Sequence, residues 1–398
     1  MGIELTTAAK VLLATPRWVP GRVVPVKLTG MGQRTVLICG AGIAGPTLAY
    51  WLARHGFQPT VVERAQALRS SGSPVDVHGA ATEVARRMGI LPRLHEAATN
   101  APRLAFVTAS GRRVGPLRLG RPRGDDVEIP RADLAAILCE SSRDEAEFLF
   151  GDSITALRAD DDGVDVTFKR AAPRRFDLVV GADGLHSTVR ALAFGPENGF
   201  VRHLGLYIAT LSLGRPAADP ATVLMYNQPG LSLTIHPVRG TAGAGFIFRG
   251  PPGLDYRDTR TQQRIVLDAY TAHDWPVPEL PDLPEQVLTA KDLYFDSVSQ
   301  VLLPGWSRGR VTLLGDAASC VSLFGDGSSL AMTGAATLAE AMAATPDDPT
   351  AALRRYESRH RKLANSRQRG HVLAAALLVP ATRAGLLARN LTAGLLPR

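Results

Sequence analysis

Residues 35–45, TVLICGAGIAG, form the stretch that specifies the fold of this chain. Its first five residues are almost continuously apolar, which is typical of a parallel strand buried on both faces. The following glycines allow a tight turn out of the strand and close packing of the next helix on the sheet. A helix predicted over 46–55 and a strand over 60–63 complete one βαβ unit.

The turn from Gly40 to Gly45 has the composition of a pyrophosphate site. Gly42, Ile43 and Ala44 lie inside the turn, where the backbone can approach a phosphate closely. The helix that begins there supplies N–H donors and a partial positive charge. A glycine pattern alone is weak evidence, but this one follows a strand and opens a helix. It predicts a bound dinucleotide.

The residue at the end of the second strand indicates whether the adenosine ribose of the dinucleotide carries a 2′-phosphate. Glu63 ends this strand, where a carboxylate accepts hydrogen bonds from the two ribose hydroxyls and disfavours a 2′-phosphate. Arg64 follows directly, and we expect its side chain either to cover the adenine or to remain solvated. The pair predicts an unphosphorylated adenosine ribose.

Length and charge limit the classes of function. The 398 residues predict two or three domains, and 45% hydrophobic with 21% charged residues is the composition of a globular protein. The net charge of +8 comes from forty arginines and only five lysines. These arginines are scattered and form no basic run interleaved with aromatic residues, so we expect no nucleic-acid partner.

The three cysteines and the N-terminal segment bear on location. Cys39, Cys139 and Cys320 have no metal or redox spacing, which predicts buried thiols in a reducing compartment and a cytoplasmic protein. The short apolar run near the N-terminus is too brief for a signal-peptide core or a membrane span, and we expect no stable membrane insertion. Residues 1–30 are predicted to be a disordered extension, with Met31 as the natural start.

Three further stretches follow the glycine turn in a fixed order: IPRADL (129–134), LVVGADGLHSTVR (178–190) and LLGDAA (313–318). With that turn, they resemble the FAD-dependent class A monooxygenases, the para-hydroxybenzoate-hydroxylase-like family. The resemblance implies that Arg131 approaches the flavin chain, that Asp183 and Gly184 lie near the pyrophosphate, and that Asp316, after Gly315, binds FAD hydroxyls. Taken alone, either aspartate is consistent with an N-cap, the commoner use of aspartate at a helix start.

The segment after the third stretch departs from the usual family pattern. It reads SCVSLFGDGSSL (319–330), without the histidine and proline found in the commoner members. Gly325 and Gly327 persist, so backbone donors are expected to face the pyrimidine end of the flavin. With SPVDVHG (73–79), this variant resembles the branch that contains tetracycline-inactivating and polyketide-tailoring monooxygenases.

The resemblance implies a cofactor and a reaction. We expect FAD as cofactor, NAD(P)H as a transient co-substrate without its own domain, and O2. Through a flavin hydroperoxide, these would hydroxylate an aromatic or polyketide-like small molecule. There are three alternatives. The first is an FAD-containing enzyme that acts without redox chemistry, such as a cyclase. The second is a related oxidoreductase, and the third is a binding protein without catalysis. The sequence specifies no oligomeric state.

The predicted fold class is α/β: a Rossmann-type FAD-binding domain of the glutathione-reductase-like kind, interleaved with a mainly antiparallel substrate sheet and followed by helices. The predicted boundaries are 31–103, 120–200 and 297–345 for the FAD-binding domain, 104–119 and 201–296 for the substrate domain, and 346–398 for the C-terminal helices.

Candidate substrate contacts come from the flavin-facing turn and the antiparallel sheet. We select the ionisable side chains of His78, Tyr226, His236 and Arg249 as candidates for deprotonating or orienting the substrate. Apolar residues of the same sheet are candidates for lining the cavity or for ordinary core packing, namely Leu213, Leu231, Leu233 and Phe246.

Overall fold

The computed structural model describes residues 34–68, 74–99, 101–108, 111–118, 124–238, 240–254, 258–271, 277, 280–320 and 326–394. The predicted extension over residues 1–30 and the predicted flavin contact Gly325 lie outside these ranges.

The described residues form both strands and helices. In chain order, the strands are β1 (Thr35–Cys39), β2 (Gln58–Glu63), β3 (Pro74–Val77), β4 (Arg103–Val107), β5 (Arg113–Arg118), β6 (Val127–Pro130), β7 (Glu147–Phe150), β8 (Ile154–Ala159), β9 (Val164–Phe168), β10 (Arg174–Phe176), β11 (Leu178–Gly181), β12 (Val201–Ser212), β13 (Thr222–Gln228), β14 (Leu231–Val238), β15 (Thr241–Arg249), β16 (Tyr294–Val301), β17 (Ser307–Arg308) and β18 (Val311–Leu313). The helices are α1 (Ala44–Arg54), α2 (Ala80–Arg87), α3 (Leu91–Glu96), α4 (Arg131–Ser142), α5 (Thr188–Ala193), α6 (Thr259–Thr271), α7 (Leu283–Thr289), α8 (Asp316–Ser319), α9 (Asp326–Ala344), α10 (Pro349–Leu378) and α11 (Arg383–Gly394).

A six-stranded sheet in the order β17-β18-β11-β1-β2-β7 organises the first layer. All of its pairs are parallel except the short β17–β18 pair at the edge. Val36, Leu37 and Ile38 of the central strand β1 are fully buried. Helix α1 packs on β1 and β2, and α5 packs on β11 and β18. The predicted βαβ unit is confirmed, with α1 and β2 each beginning two residues earlier than expected.

The chain passes from one sheet to another at Asp177. Phe176 ends β10 and pairs antiparallel with Val164 of the small β10-β9-β8 meander. Leu178 begins β11, which runs parallel to β1. The Asp177 carboxylate accepts a hydrogen bond from the backbone N–H of Thr35 at 2.7 Å, and this bond fixes the crossing point.

The second layer is a seven-stranded sheet in the order β16-β12-β15-β14-β13-β4-β5. It is antiparallel throughout except for the β13–β4 pair, so the mainly antiparallel sheet predicted from the sequence is confirmed. Its outer face packs on Val266 of α6 and on Leu283 and Val287 of α7. Because side chains alternate along each strand, the neighbouring residues form an inner face on the opposite side.

We define the inner face by ten residues of four strands: Leu206, Ile208, Thr210, Ser232, Thr234, His236, Gly243, Gly245, Tyr294 and Asp296. Two contacts show that this face is directed toward the six-stranded layer. The ring of His236 reaches Glu128 of β6, and Asp296 reaches His186 in the turn before α5. The fold therefore places one open sheet face opposite the carboxyl ends of the parallel strands.

Two smaller parts connect these layers. The two-stranded ribbon β3–β6 places Asp76 directly opposite Glu128. Helix α10 ends near the inner face, where Val379 is fully buried against Leu206 and Val298. The backbone N–H of Gly230 donates to the carbonyl of Pro380 at 2.9 Å and ties the segment between α10 and α11 to the sheet.

Candidate cofactor and substrate site

The glycine turn is shaped by two close backbone contacts and one open side. A Cβ on Gly40 would lie 2.4 Å from the carbonyl oxygen of Ala182, and φ at this residue is +110°. A Cβ on Gly45 would lie 1.9 Å from the carbonyl oxygen of Gly40. A Cβ on Gly42 meets no described atom within 4 Å. Gly40 and Gly45 are thus required by the protein itself, whereas Gly42 borders open space that can accept a phosphate.

The first turn of α1 offers its N–H groups to that space. Its N-cap is Ile43, whose side chain forms no capping hydrogen bond, and no acidic residue lies in the first turn that Ala44 opens. Since the first N–H groups of a helix need acceptors, this end of α1 suits an anion such as a pyrophosphate.

Glu63 lies at the end of β2, beside the turn. Its carboxylate accepts hydrogen bonds from the backbone N–H groups of Ala41 at 2.9 Å and Ala65 at 2.8 Å. Each carboxylate oxygen has a second lone pair, so Glu63 can also accept from a ribose hydroxyl. The side chain of Arg64 is exposed.

Asp183 is used within its own motif. Its carboxylate accepts from the hydroxyl of Ser187 at 2.5 Å and from the backbone N–H groups of Thr188 at 2.7 Å and Val189 at 3.1 Å. Burial raises the pKa of Asp183, and these bonds oppose the rise. Gly184 has φ +81° and open space where a Cβ would be. The motif therefore presents its backbone, not the Asp183 carboxylate, to a ligand.

Asp316 begins α8 directly after Gly315, whose φ is +61°. Burial raises the pKa of Asp316, and the guanidinium of Arg131 at the start of α4 counteracts this rise. The charges of Arg131 and Asp316 also act on Tyr294 at the start of β16. Burial strongly raises the pKa of this phenol. The structure thus brings together the predicted residues Arg131 and Asp316 and adds the phenol of Tyr294.

His78 contacts the start of α9, the helix that contains Gly327. The Nε2 atom of His78 lies 2.7 Å from Oδ1 of Asp326, the residue before Gly327, and Oγ of Ser329 accepts from the backbone N–H of His78 at 3.1 Å. The hydrogen bond to Asp326 raises the pKa of His78. His78 therefore anchors the ribbon β3–β6 to α9.

His236 lies on the inner face and pairs with the ribbon. Its Nε2 is 2.9 Å from Oε1 of Glu128. Burial would raise the pKa of Glu128, but the bond to His236 outweighs it and the pKa is lowered. Asp76, opposite Glu128, has its pKa raised to about 6 by burial and by the charge of Glu128. The ribbon thus presents two carboxyl groups of different acidity toward the sheet.

The centre of the inner face is lined by small residues. Thr210, Gly245 and Thr234 lie side by side on neighbouring strands, and the same row begins with Tyr294. The Oγ1 atom of Thr210 and the Oγ atom of Ser232 are buried and form no hydrogen bond with any described residue. Buried hydroxyls of this kind are available to a polar ligand. The row forms a flat floor with an ionisable group at its Tyr294 end.

The other two substrate candidates lie away from this floor. Tyr226 is 1% exposed and packs in the core between the outer face and α6 and α7. Arg249 pairs with Leu206 and so shares the inner face, but it lies four residues along β15 from Gly245, about 13 Å from the floor. Its Nη2 donates to the carbonyl of Val379 at 3.0 Å. The apolar candidates also belong to the outer-face core: Leu213, Leu231, Leu233 and Phe246.

Sequence reasoning missed the groups that join the layers: His186, Tyr294, Asp296, Glu128 and Asp326. His186 lies inside the second fingerprint, so its position next to Asp183 was a usable signal. Tyr294 and Asp296 are polar residues two positions apart on one strand, and this period places both on one face. Their partners come from distant parts of the chain.

The sequence profile of the FAD binding domain family matches residues 33–369. The chain belongs to this family. A protein of Mycobacterium tuberculosis (strain ATCC 25618 / H37Rv), Rv1260, is 39% identical over 325 residues, which are 79% of this chain and 87% of that protein. A flavin-dependent monooxygenase of Legionella longbeachae is 34% identical over 343 residues, covering 84% of this chain and 87% of the relative.

The fold is also similar to that of solved structures. The crystal structure of tetracycline destructase Tet(51) aligns with a TM-score of 0.79 and 31% identity, over 91% of this chain and 96% of that one. With the relatives, this identifies the chain as an FAD-dependent monooxygenase and confirms the predicted α/β fold class. Within the described residues, no helix is long and apolar enough to cross a membrane.

The residues present fit the FAD of this family. The open side of Gly42, the uncapped first turn of α1 and the carboxylate of Glu63 suit the pyrophosphate and ribose. Arg131 and Asp316 form a second polar group at the edge of the sheet. When bound, FAD supplies the redox chemistry with NAD(P)H and O2, while the chain supplies orientation and a shielded floor.

Proposed function

We propose that this monooxygenase hydroxylates an aromatic or polyketide-like small molecule that lies on the inner face of the seven-stranded sheet. The observation that carries the proposal is the row Tyr294–Thr210–Gly245–Thr234. Small side chains leave a flat surface there, and a planar ring system can stack on it without displacing a core residue.

Two ionisable groups flank the floor and suit a phenolic or enolic substrate. The imidazole of His236, paired with Glu128, lies at one side, and the phenol of Tyr294 lies at the other. Hydroxyls of a substrate can bond to these groups and to the buried hydroxyl of Thr210. Orientation of the ring by such bonds is the contribution of the chain to oxygen transfer.

The similarity to Tet(51) favours a tetracyclic compound within this class. The proposed assignment of residues follows the described layers. Gly40–Gly45, Glu63, Arg131 and Asp316 bind FAD, and His236 with Tyr294 contacts the substrate. The domain boundaries predicted from the sequence remain part of the proposal. Cys39, Cys139 and Cys320 form no disulfide, which supports a cytoplasmic location.

To test this proposal, the FAD-loaded protein is incubated with a panel of phenols, quinones and tetracyclic polyketides, and NAD(P)H oxidation and oxygen uptake are measured. We expect at least one compound to stimulate NAD(P)H oxidation with matching oxygen uptake, and the product to gain one oxygen atom from labelled O2. Conversion of a compound without NAD(P)H or O2 would instead support the alternative that the protein is a cyclase acting without redox chemistry. NAD(P)H oxidation without any incorporated oxygen would support a related oxidoreductase. A protein that binds ligands from the panel but converts none would be a binding protein.

A further inference from the structure

Four ionisable side chains connect the second fingerprint to strand β16: Glu197, His186, Asp296 and Tyr294. Nδ1 of His186 lies 3.0 Å from Oε1 of Glu197, and its Nε2 lies 3.0 Å from Oδ1 of Asp296. The hydroxyl of Tyr294 donates to Oδ2 of Asp296 over 3.4 Å. Both ring nitrogens of His186 thus face carboxylates, and only the imidazolium can donate to both.

One end of this chain of contacts touches the turn that receives FAD. His186 lies three residues after Asp183, whose carboxylate fixes the same turn through Ser187 and Thr188. The backbone of Ala182 and Asp183 packs directly on Gly40, where no Cβ would fit. A displacement of the turn at His186 is therefore transmitted to the glycine turn, because these backbones are in contact.

The other end of this chain of contacts, Tyr294, lies near Arg131 and Asp316, the second group of proposed cofactor residues. Tyr294 and Asp296 share the inner face of β16 and are two residues apart. The charges of Arg131 and Asp316 both act on Tyr294. Movement of β16 therefore changes the position of the phenol relative to the residues that bind FAD.

The charges around His186 determine when it is protonated. Glu197 and Asp296 face its ring, and Nη2 of Arg190 lies 3.5 Å from Oε2 of Glu197, which is itself 3.1 Å from Nδ1 of His186. Asp183 on the same turn bonds to Ser187, and Arg131 and Asp316 lie beyond Tyr294. Burial disfavours the charged ring, but the bonds to Asp296 and Glu197 outweigh this and raise the pKa of His186 to about 9.

We propose that His186 is a positioning residue: its imidazolium clamps Asp296 of β16, and through it Tyr294, against the Asp183–Gly184 turn and thereby fixes the geometry of the FAD site. This proposal concerns the binding of FAD and does not depend on which substrate the enzyme hydroxylates.

Loss of the proton opens the clamp. A neutral imidazole has one N–H, so one of its nitrogens presents a lone pair to a carboxylate. Either Glu197 or Asp296 then loses the hydrogen bond from His186 and faces a lone pair instead, which is unfavourable for a partly buried carboxylate. The clamp is present at neutral pH and is lost as the pH rises through about 9.

The experiment measures the dissociation constant of FAD from the apoprotein, by flavin fluorescence, from about pH 6 to about pH 10. The wild type is expected to bind FAD with constant affinity up to about pH 8 and roughly fivefold or more weakly above a midpoint near 9. In His186→Gln the step disappears, and the affinity at neutral pH matches the weak, high-pH value of the wild type. In Glu197→Gln, the midpoint falls by about one to three pH units because one carboxylate is lost.

His95→Gln is the matched control, since His95 is 45% exposed and lies 3.9 Å from Asp125, away from the cofactor turn. It should titrate like the wild type. A step that persists in His186→Gln, or an unchanged midpoint in Glu197→Gln, would overturn the proposal. Ionisation of the flavin itself would leave the same step in every variant. Glu197 is 37% exposed, so its variant is expected to fold even if His186→Gln does not. The assay uses FAD alone, so its result is independent of the substrate panel.

Discussion

Nη1 of Arg190 donates a hydrogen bond to the carbonyl oxygen of Ala317 at 3.1 Å, across 127 positions of sequence. Nη2 of the same guanidinium donates to the carbonyl oxygen of Leu185. Arg190 is fully buried. One side chain therefore joins the turn around Asp183–Gly184 to the turn that carries Asp316. These turns are the second and third fingerprints, so their relative position depends on Arg190.

Replacement of Arg190 by lysine is expected to lower the free energy of unfolding by about 2–4 kcal/mol, because one ammonium cannot reach both carbonyls and a buried acceptor loses its donor. FAD affinity should fall as well, since the two turns lose their connection. Urea denaturation of the apoprotein and FAD titration measure the two effects. Arg158→Lys, at an exposed position of β8, is the control. Equal stability of the two variants would show that Arg190 does not hold the turns together.

Gly42 and Gly45 of the first turn should respond differently to alanine. Gly42→Ala leaves the fold intact because its Cβ meets no described atom, but the methyl group occupies the space proposed for the phosphate. We expect unchanged thermal stability of the apoprotein and at least roughly tenfold weaker FAD binding. Gly45→Ala should fold poorly, because its Cβ would overlap the Gly40 carbonyl. Gly199→Ala, also with open space at its Cβ, serves as the control. Normal FAD binding by Gly42→Ala would place the pyrophosphate elsewhere.

The first βαβ unit was predictable because its determinants are local. The apolar strand, the glycines and Glu63 lie within about thirty residues, and the strand–turn–helix order alone restricts what Gly40–Gly45 can do. Likewise, alternation along β12 to β15 predicted an antiparallel sheet. Period-2 alternation does not specify which face meets the cofactor, however. For this reason Tyr226 was chosen as a candidate, although it packs against α6 and α7.

The remaining site residues depend on pairing between distant segments. Asp296 acquires its role only because β16 pairs with β12, and this pairing brings it to His186, 110 positions away. Glu128 becomes the partner of His236 because the ribbon β3–β6 lies against the inner face. Neither relationship leaves a local pattern in the sequence. Composition and motifs therefore predicted the cofactor side of the site, and the contacts between layers required the structure.

Asp316→Ala tests the third fingerprint. If its carboxylate bonds to FAD hydroxyls, the dissociation constant of FAD should rise roughly tenfold or more, the effect of losing one charge-assisted hydrogen bond. Stability of the apoprotein should not fall, because burial already disfavours the charged form of Asp316. Asp165→Ala, at an exposed position of β9, is the control. Retention of FAD at the wild-type level after gel filtration would rule out the assigned role.

Asp76→Asn is expected to change the pH dependence of stability. The pKa of Asp76 is raised from its ordinary value to about 6, so the folded protein binds this proton more tightly than the unfolded chain. Stability from this group is therefore present at low pH and is lost as the pH rises from about 4 to about 6.

Asparagine at position 76 carries no charge opposite Glu128, so the variant does not lose stability through ionisation of this side chain as the pH rises. Relative to the wild type, the apo variant should gain about 1–2 kcal/mol at pH 7–8, after allowance for partial exposure, and gain nothing near pH 4. Urea denaturation at both pH values measures the difference. Asp165→Asn should show no such pH-dependent gain, since Asp165 is exposed and faces Arg175. A gain of equal size at both pH values would mean that packing, not the ionisation of Asp76 beside Glu128, distinguishes the variant.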